Sequence, residues 1–284
     1  MAKFETIRDI DFTDLYKHHY KLANRNATDA QFWDQKASAL ALDLSSVYSN
    51  EKSEKSDESE YQRAFLQKLE LREEDVVLDV GCGAGSLALK IAPNVKKVIC
   101  LDFSEKMLDL TGRLANMHSI ENFELCLKSW YDNWDDVEEA DICISSRSSM
   151  VSDIEDALNK LNQKARRAVY MSMRVDPEYI NRALYQLLNR DHLVRFPSYI
   201  YAVNILYQQG YLVSVTFIDE ADESSINTNS QLSQTEFISH AESVISDLTD
   251  FERELLLEYY ANNVGNLLKI NRNTQVWALL HWYK

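Results

Sequence analysis

The sequence predicts an α/β fold in which helices cover both faces of a doubly wound, mostly parallel sheet. Short apolar runs rich in β-branched residues are typical of strands that are buried on both faces of a parallel sheet. Stretches with apolar residues at three- and four-residue spacing separate these runs, and this alternation indicates right-handed crossovers. With 284 residues, 45% of them hydrophobic, the chain can bury such a core and carry additional helices. Strands are predicted at residues 76–80, 98–101, 123–127, 141–144, 168–173 and 211–217.

The first strand leads through a glycine-rich turn into a helix. Gly81, Gly83 and Gly85 alternate directly after this strand, and helical spacing resumes with Leu87 and Ile91. Glycine tolerates positive φ angles and lets backbone N–H groups come close to a ligand. The N-terminus of the following helix adds unpaired donors and a partial positive charge. The turn is therefore a candidate ligand-binding loop.

An acid ends the second strand. Asp102 follows Gly81 by about 20 residues, the separation at which the next parallel strand of a nucleotide-binding unit presents a carboxylate to ribose hydroxyls. The dinucleotide fingerprint Gly-x-Gly-x-x-Gly is not matched, because the third glycine comes one residue early and Ser86 holds the expected place. The order of these elements predicts a nucleotide site, and the glycine spacing argues against a nicotinamide dehydrogenase.

Two segments resemble the first two motifs of the class I S-adenosylmethionine-dependent methyltransferases. They are Leu-Asp-Val-Gly-Cys-Gly-Ala-Gly at residues 78–85 and Leu-Asp-Phe-Ser-Glu-Lys-Met-Leu at residues 101–108. The resemblance implies S-adenosylmethionine as the cofactor. In that family the glycine loop faces the methionine part of the cofactor, the acid in the place of Asp102 holds both ribose hydroxyls, and the residues after it flank the adenine. The cofactor-binding residues implied in this chain are Asp79, Gly81, Cys82, Gly83, Gly85, Asp102, Phe103 and Met107.

The ends of the third and fourth strands add candidate residues. Where the family often places an acid for the adenine amino group, this chain has Ser129 and Trp130, and we expect a backbone carbonyl and the indole ring to replace it. Core packing is the alternative for Trp130. Ser145 follows the fourth strand and is assigned to the cofactor site. Arg147 is a candidate catalytic residue that could hold a carboxylate or phosphate bidentately, or else form an ion pair on an acidic surface.

The N-terminal helices supply candidate residues for a lid and for the substrate. Tyr16, His18, Tyr20 and Trp33 are assigned to this role, since aromatic faces favour a cationic sulfonium. Plain helix packing is the alternative for the aromatic residues. His19 is a candidate general base because histidine titrates near neutral pH, with a partly buried helix histidine as the alternative. The segment at residues 32–37, Phe-Trp-Asp-Gln-Lys-Ala, resembles one that lies over the cofactor in the family.

The chain divides into four predicted parts. Residues 1–60 form an N-terminal helical lid with a polar linker, and residues 61–220 form the Rossmann-like cofactor-binding core. Residues 221–270 form a helical insertion with Leu248, Phe251, Leu255 and Tyr259 as its apolar stripe. The family closes its seven-stranded sheet with an antiparallel last strand, which we place within residues 271–284. The lid and the insertion should cover the carboxyl ends of the strands, where ligands bind in open α/β sheets.

Composition limits the partners. Lys and Arg total 30 against 45 Asp and Glu, so the net charge is −15, which disfavours a nucleic-acid substrate. The four cysteines lack metal-ligand spacing, so no metal is expected and the thiols fit a reducing cytoplasm. No apolar run approaches the roughly 18 residues that a membrane span needs, so we expect no membrane partner.

These observations predict an S-adenosylmethionine-dependent methyltransferase that acts on a small-molecule acceptor. Methyl transfer would occur by in-line displacement, with the acceptor held under the helical lid. Two alternatives stay open. One is a protein that binds S-adenosylmethionine without methyl transfer and has a regulatory role. The other is a protein methyltransferase, because an acidic cleft attracts basic peptides.

Overall fold

A computed structural model of the chain describes residues 6–23, 30–48, 59–175, 186–190, 194, 196–220, 233–244, 248–263 and 275–284. The strands are β1 (Val76–Val80), β2 (Lys97–Asp102), β3 (Phe123–Leu127), β4 (Ala140–Ser146), β5 (Ala165–Arg174), β6 (Ser214–Glu220) and β7 (Gln275–Tyr283). They form one sheet in the order β3-β2-β1-β4-β5-β7-β6. β1 to β5 run parallel, and β7 lies antiparallel between β5 and β6. The predicted seven-stranded doubly wound sheet with an antiparallel last strand is confirmed.

The winding of the sheet reverses between β1 and β4. β2 and β3 lie on one side of β1, and β4 begins the other side. Every residue of β1 is buried, because helices cover both faces of the sheet at its centre. Chain segments leave the carboxyl ends of β1 and β4 in opposite directions, which opens a crevice at the place where open α/β sheets bind ligands.

Two helical layers cover the sheet. On one face, α3 (Glu60–Leu66), α4 (Ala88–Ile91) and α5 (Glu105–Met117) contribute to a core with residues of β1, β2 and β4. On the other face lie α1 (Phe12–Ala23), α6 (Ile154–Lys164) and α7 (Ile200–Gln208). α2 (Ala30–Tyr48) packs against α5. Short 3₁₀ helices span Ile7–Asp9 and Ala92–Asn94. In the described ranges no helix is long and apolar enough to cross a membrane.

Gly210 ends α7 and delays the start of β6. Its φ is +91°, its N–H donates to Tyr207 O (3.0 Å), and the N–H of Tyr211 donates to Leu206 O (2.9 Å), the bonds of a Schellman motif. The strand predicted at residues 211–217 therefore begins only at Ser214. The prediction was wrong at this boundary because Tyr211 belongs to the helix cap.

The C-terminal insertion contains α8 (Gln234–Val244) and α9 (Asp250–Asn263). The two helices share a small core with Leu188. Phe251 is 67% exposed, so the predicted apolar stripe is wrong at this position, because the face of α9 that packs inward contains Leu256. Residues 221–232, 245–247 and 264–270 of the insertion, residues 271–274 and the polar linker at residues 49–58 lie outside the described residues.

An ion pair joins the segment before this insertion to α9. Glu252 accepts from Arg190 Nε (2.5 Å) and Arg190 Nη2 (2.8 Å), a bidentate arrangement. These bonds, together with bonds from Thr249, lower the pKa of Glu252 to about 2.

The helical lid and the four-part division of the chain stay predictions.

Candidate functional site

The glycine loop lies in the crevice at the carboxyl end of β1. Gly81, Gly83 and Gly85 have φ angles of +72°, +56° and +77°. The N–H groups of Gly81 and Cys82 both donate to Leu101 O (2.7 and 3.1 Å), which fixes the loop to β2. No described atom lies within 4 Å of the place that a β-carbon on Gly83 would occupy. The middle of the loop therefore presents open backbone to the crevice.

Asp102 closes the loop from the end of β2. Its carboxylate accepts from the N–H of Gly83 (2.8 Å) and from the N–H of Ser104 (2.9 Å), and the residue is 5% exposed. Burial raises the pKa of Asp102, and the backbone donors of Ser104, Gly83 and Phe103 oppose this shift. The structure thus brings the glycine loop and the predicted ribose acid together.

A second acid lies beneath the loop. Asp79 on β1 is buried, and burial together with the nearby charge of Asp102 raises its pKa to about 7. The backbone N–H of Ala88 at the start of α4 donates to the Asp79 carboxylate and lowers the pKa in part. Two neighbouring carboxylates in this crevice favour a cationic ligand.

Helix α2 contributes a third acid that the sequence analysis did not assign. Asp34 accepts a hydrogen bond from Ser104 Oγ (2.6 Å), and Ser104 Oγ in turn accepts from the N–H of Met107 and caps α5. The signal was present in the Trp-Asp-x-x-Ala segment. Trp33, the neighbour of Asp34, stands edge-on to Phe32 at 5.4 Å.

The residues after Asp102 differ in their exposure. Phe103 is 36% exposed at the turn, as an adenine neighbour would be, whereas Met107 is buried in the first turn of α5.

Cys82 is buried and its thiol contacts Cys100. The hydrogen bond with Cys100, together with burial, raises the pKa of Cys82, so the thiol stays protonated.

Trp130 links the end of β3 to the loop after β4. Its Nε1–H donates to Ser148 O (2.8 Å), and its ring stacks on Trp134 at 5.3 Å. Ser148 Oγ donates to Val80 O (2.6 Å) and lies 2.9 Å from Ser145 Oγ. Ser145 is fully buried, so the structure places it beneath Ser148 rather than at the surface of the crevice.

Ser129 is engaged within its own turn. Its N–H and Oγ donate to Asp132 Oδ2 (2.7 and 2.8 Å), and its carbonyl accepts from Trp134 Nε1 (2.9 Å). These donors lower the pKa of Asp132. The Ser129 carbonyl also accepts from the N–H of Asp132 (3.3 Å), so both of its lone pairs are engaged and an adenine amino group would have to compete with these donors.

The N-terminal aromatic residues divide into two groups. Tyr16 is buried, donates to Val151 O (2.5 Å) and packs edge-on against Tyr201. Burial raises the pKa of Tyr16, which keeps it a donor. Tyr20 packs against Phe196 at 5.3 Å, whereas Trp33 belongs to the group on α2. Of the aromatic residues assigned to the lid, Tyr16 and Tyr20 thus pack with Tyr201 and Phe196, and Trp33 packs with Phe32.

The two adjacent histidines have different surroundings. His19 Nδ1 lies 2.8 Å from the hydroxyl of Tyr201, and His18 is exposed on α1. Only Nε2 of His19 is available for the predicted role as a base. Among the described residues, no group of three or more His, Cys, Asp or Glu could hold a metal ion.

Arg147 stands at the end of β4 with a left-handed φ of +57°. Its Cζ lies 3.7 Å from the ring centroid of Tyr61, and its backbone N–H donates to Ser172 Oγ (3.0 Å). The hydroxyl of Tyr61 lies 2.8 Å from Ser146 Oγ and 2.6 Å from Ser172 Oγ. The guanidinium is therefore stacked on a fixed ring at the carboxyl edge of the sheet.

Comparisons with known proteins identify a methyltransferase domain in the part of the chain that contains the glycine loop and Asp102. Residues 77–169 match the family model described as a methyltransferase domain. An uncharacterized protein of Haemophilus influenzae is 30% identical over 277 residues, 98% of each chain. A probable cobalt-precorrin-6B C(15)-methyltransferase (decarboxylating) of Methanococcus maripaludis is 38% identical over 68 residues, 24% of this chain and 38% of that relative.

One solved structure extends the likeness of the fold to the whole chain. The phosphoethanolamine N-methyltransferase 2 of Haemonchus contortus, in complex with phosphomonomethylethanolamine and S-adenosylhomocysteine, has a TM-score of 0.53 at 11% identity. The match covers 100% of this chain and 61% of that chain. The family model begins on β1 and ends within β5, and so includes the glycine loop and Asp102. Residues 77–169 therefore form a methyltransferase domain, and the sheet has the fold of the class I S-adenosylmethionine-dependent methyltransferases.

Proposed function

We propose that this chain binds S-adenosylmethionine at the carboxyl ends of β1 and β2 and transfers its methyl group to a small-molecule acceptor. One observation carries the proposal: Asp102 holds the N–H of Gly83 and so closes the glycine loop beside the open backbone of that residue. The Asp102 carboxylate has further lone pairs with which it can accept from two ribose hydroxyls.

The residues present fit this cofactor by charge and by shape. S-adenosylmethionine carries a sulfonium and an ammonium group, and Asp79, Asp102 and Asp34 supply negative charge around the crevice. The open backbone of Gly83 leaves room for its amino-acid part, and the exposed ring of Phe103 offers a face to adenine. We assign Gly81, Cys82, Gly85, Met107, Ser129 and Trp130 to the surrounding pocket, and Ser145 to the buried layer beneath it.

The cofactor supplies an activated methyl group whose transfer is an in-line displacement. The residues of this chain then have to align the acceptor and exclude water. We assign Arg147, which is stacked on Tyr61, to hold the acceptor, and His19 Nε2 remains the candidate base. Tyr16 anchors α1 to the loop after β4, so α1 is positioned to cover the acceptor side of the crevice.

The acidic chain favours a small molecule over a nucleic acid, because a net charge of −15 repels a phosphate backbone. A protein methyltransferase that attracts basic peptides is the second candidate, and the same acidity favours it. A protein that binds the cofactor without methyl transfer is the third.

Isothermal titration with S-adenosylmethionine, S-adenosylhomocysteine and NAD⁺ tests the cofactor. We expect micromolar binding of the first two and none of NAD⁺. Release of S-adenosylhomocysteine is then measured with pooled small metabolites and, separately, with basic peptides. Turnover with the metabolites supports the proposal, and turnover with peptides alone supports the second candidate. Binding without any turnover supports the third, and failure to bind either sulfur compound contradicts all three.

A further inference from the structure

One residue of the glycine loop is held through both of its backbone groups. The N–H of Gly83 donates to Asp102 Oδ2 (2.8 Å), and its carbonyl accepts from Thr111 Oγ1 (2.9 Å). Thr111 lies in the middle of α5 and is fully buried. Asp102 and Thr111 thus fix the backbone of the loop at Gly83, while the place of a β-carbon on this residue stays open.

The hydroxyl of Thr111 departs from the usual pattern of a helical threonine. Such a hydroxyl commonly donates to the carbonyl three or four residues earlier in its own helix. Thr111 instead donates to a residue 28 positions earlier in the chain. The bond therefore belongs to the tertiary contact between α5 and the loop after β1.

The methyl group of Thr111 packs against the same loop. A β-carbon added at Gly85 would lie 2.8 Å from Thr111 Cγ2, so the helix and the loop approach closely at this point. The two groups of one side chain thus have separate roles, because Cγ2 packs against Gly85 and Oγ1 binds Gly83. Substitutions can remove one role and keep the other.

The bond to Thr111 also sets the direction of the next donor in the loop. A trans peptide is planar, and its carbonyl and N–H groups point in opposite directions. Because the carbonyl of Gly83 points to Thr111, the N–H of Ala84 points away from that side chain. A backbone N–H in a loop of this kind can donate to a carboxylate. A flip of the peptide would present a carbonyl oxygen instead, which repels a carboxylate.

We propose that Thr111 is a positioning residue for the amino-acid part of the cofactor, because its hydroxyl holds the peptide between Gly83 and Ala84 in the orientation that binds this part. The inference rests on the proposed function and deepens it. Asp102 is assigned to the ribose as well as to the loop, whereas Thr111 bonds to the loop. Thr111 was not singled out from the sequence, because only the fold brings the middle of α5 to Gly83.

Calorimetry with two ligands tests this role. S-adenosylhomocysteine has the amino-acid part, and methylthioadenosine contains the same adenosine but lacks that part. Thr111→Val keeps the shape of the side chain and removes the hydroxyl, so it should bind S-adenosylhomocysteine at least about fivefold more weakly, the equivalent of one hydrogen bond. Its affinity for methylthioadenosine should stay within about twofold of wild type. Thr111→Ser keeps the hydroxyl and should bind both ligands nearly like wild type.

Thr249→Val is the matched control. It is the same substitution at a threonine whose hydroxyl is also bonded, to Glu252 Oε2 (2.8 Å), in the C-terminal insertion. This variant should lose stability and keep the wild-type affinity for S-adenosylhomocysteine. Asp102→Asn, by contrast, should weaken the binding of both ligands, since methylthioadenosine retains the ribose.

The outcomes separate the role of Thr111 from the proposed function. If wild type does not bind S-adenosylhomocysteine, the proposed function fails. If wild type binds it, the inference is wrong where Thr111→Val binds equally well, weakens both ligands to the same extent, or loses no more affinity than Thr249→Val. The inference is also wrong if Thr111→Ser binds as weakly as Thr111→Val. Where methylthioadenosine binds wild type too weakly to be measured, this last comparison decides. Where melting shows that Thr111→Val is unfolded, Thr111→Ala replaces it.

Discussion

Ser148 packs directly against Gly81, so that a β-carbon added at Gly81 would lie 2.2 Å from Ser148 Cβ. The contact joins the ends of β1 and β4, the two strands between which the winding of the sheet reverses. It requires a glycine for two separate reasons, the lack of space and the φ of +72°. The glycine loop is therefore shaped by the loop after β4 as well as by its bonds to β2.

Gly81→Ala should destabilise the fold more than the same change at Gly210. A left-handed φ costs a residue with a β-carbon about 1–2 kcal/mol, and overpacking adds about 1–3 kcal/mol. Gly210 has a φ of +91° and no described atom within 4 Å of the β-carbon position, so Gly210→Ala carries only the first cost. Urea unfolding measures the free energy of unfolding of both variants. Equal losses of stability would show that Ser148 moves away from the new β-carbon without strain.

Asp102→Asn should weaken the binding of S-adenosylhomocysteine. A hydrogen bond to a charged group contributes about 1.5–3 kcal/mol, and each 1.4 kcal/mol is about tenfold in affinity, so we expect a loss of about 10- to 100-fold. Asp109→Asn is the control, since Asp109 lies on the surface of α5 and pairs with Arg113. Titration calorimetry on folded variants measures the change, and unchanged affinity would remove Asp102 from the site.

The fold could be predicted largely because burial on both faces demands apolar residues. β1 and β2 are buried over almost their whole length and appear in the sequence as apolar runs. The edge strand β6 carries less of this signal, since Phe217 is 53% exposed, and its start was misplaced. Phe251 was misassigned for a related reason, because helical spacing does not say which face of a helix its partner covers.

The glycine-loop part of the candidate site was predictable, whereas the surroundings of Arg147 were not. Asp79, the loop glycines and Asp102 belong to two consecutive strands, so their spacing along the chain reflects their geometry. Tyr61, Ser172 and Trp277 come from three separate elements and meet Arg147 only when β4, β5 and β7 pair. Similarly, the contact of Ser148 with Gly81 depends on the adjacency of β1 and β4, which no local pattern encodes.

Asp34 and Ser104 should be coupled energetically. Ser104 is fully buried, caps α5 and donates to Asp34 on α2, so Ser104→Ala removes both a cap and a charge-assisted bond. A lost cap costs about 1 kcal/mol, and we expect a coupling energy of at least about 1 kcal/mol with Asp34→Ala. A double-mutant cycle in urea measures it. Ser59→Ala removes the cap of α3 and is the control, so its loss of stability should add to that of Asp34→Ala. If the losses of Ser104→Ala and Asp34→Ala were also additive, α2 would not be linked energetically to the turn at Ser104.

The buried acid Asp79 predicts an unusual dependence of stability on pH. Its pKa is raised to about 7 in the folded chain by burial and by Asp102, against about 3.9 in an unfolded chain. Between these values the folded state binds more protons than the unfolded state, so stability falls as the pH rises. The destabilisation is complete above about pH 7 and absent below about pH 4.

Asp79→Asn removes this titration, so its free energy of unfolding relative to wild type should rise from about pH 4 to pH 7 and then level off. The rise is about 1.4 kcal/mol for each pKa unit of the shift. Asp132→Asn is a control of opposite sign, because the donors of Ser129 lower the pKa of Asp132. Wild type should gain stability over Asp132→Asn as the pH rises through about 4, the ordinary pKa of an aspartate. Urea unfolding of the three proteins without cofactor at pH 3 to 8 measures both differences. A flat difference between Asp79→Asn and wild type would show that Asp79 is ionised throughout this range, and hence that the crevice is better solvated than its burial implies.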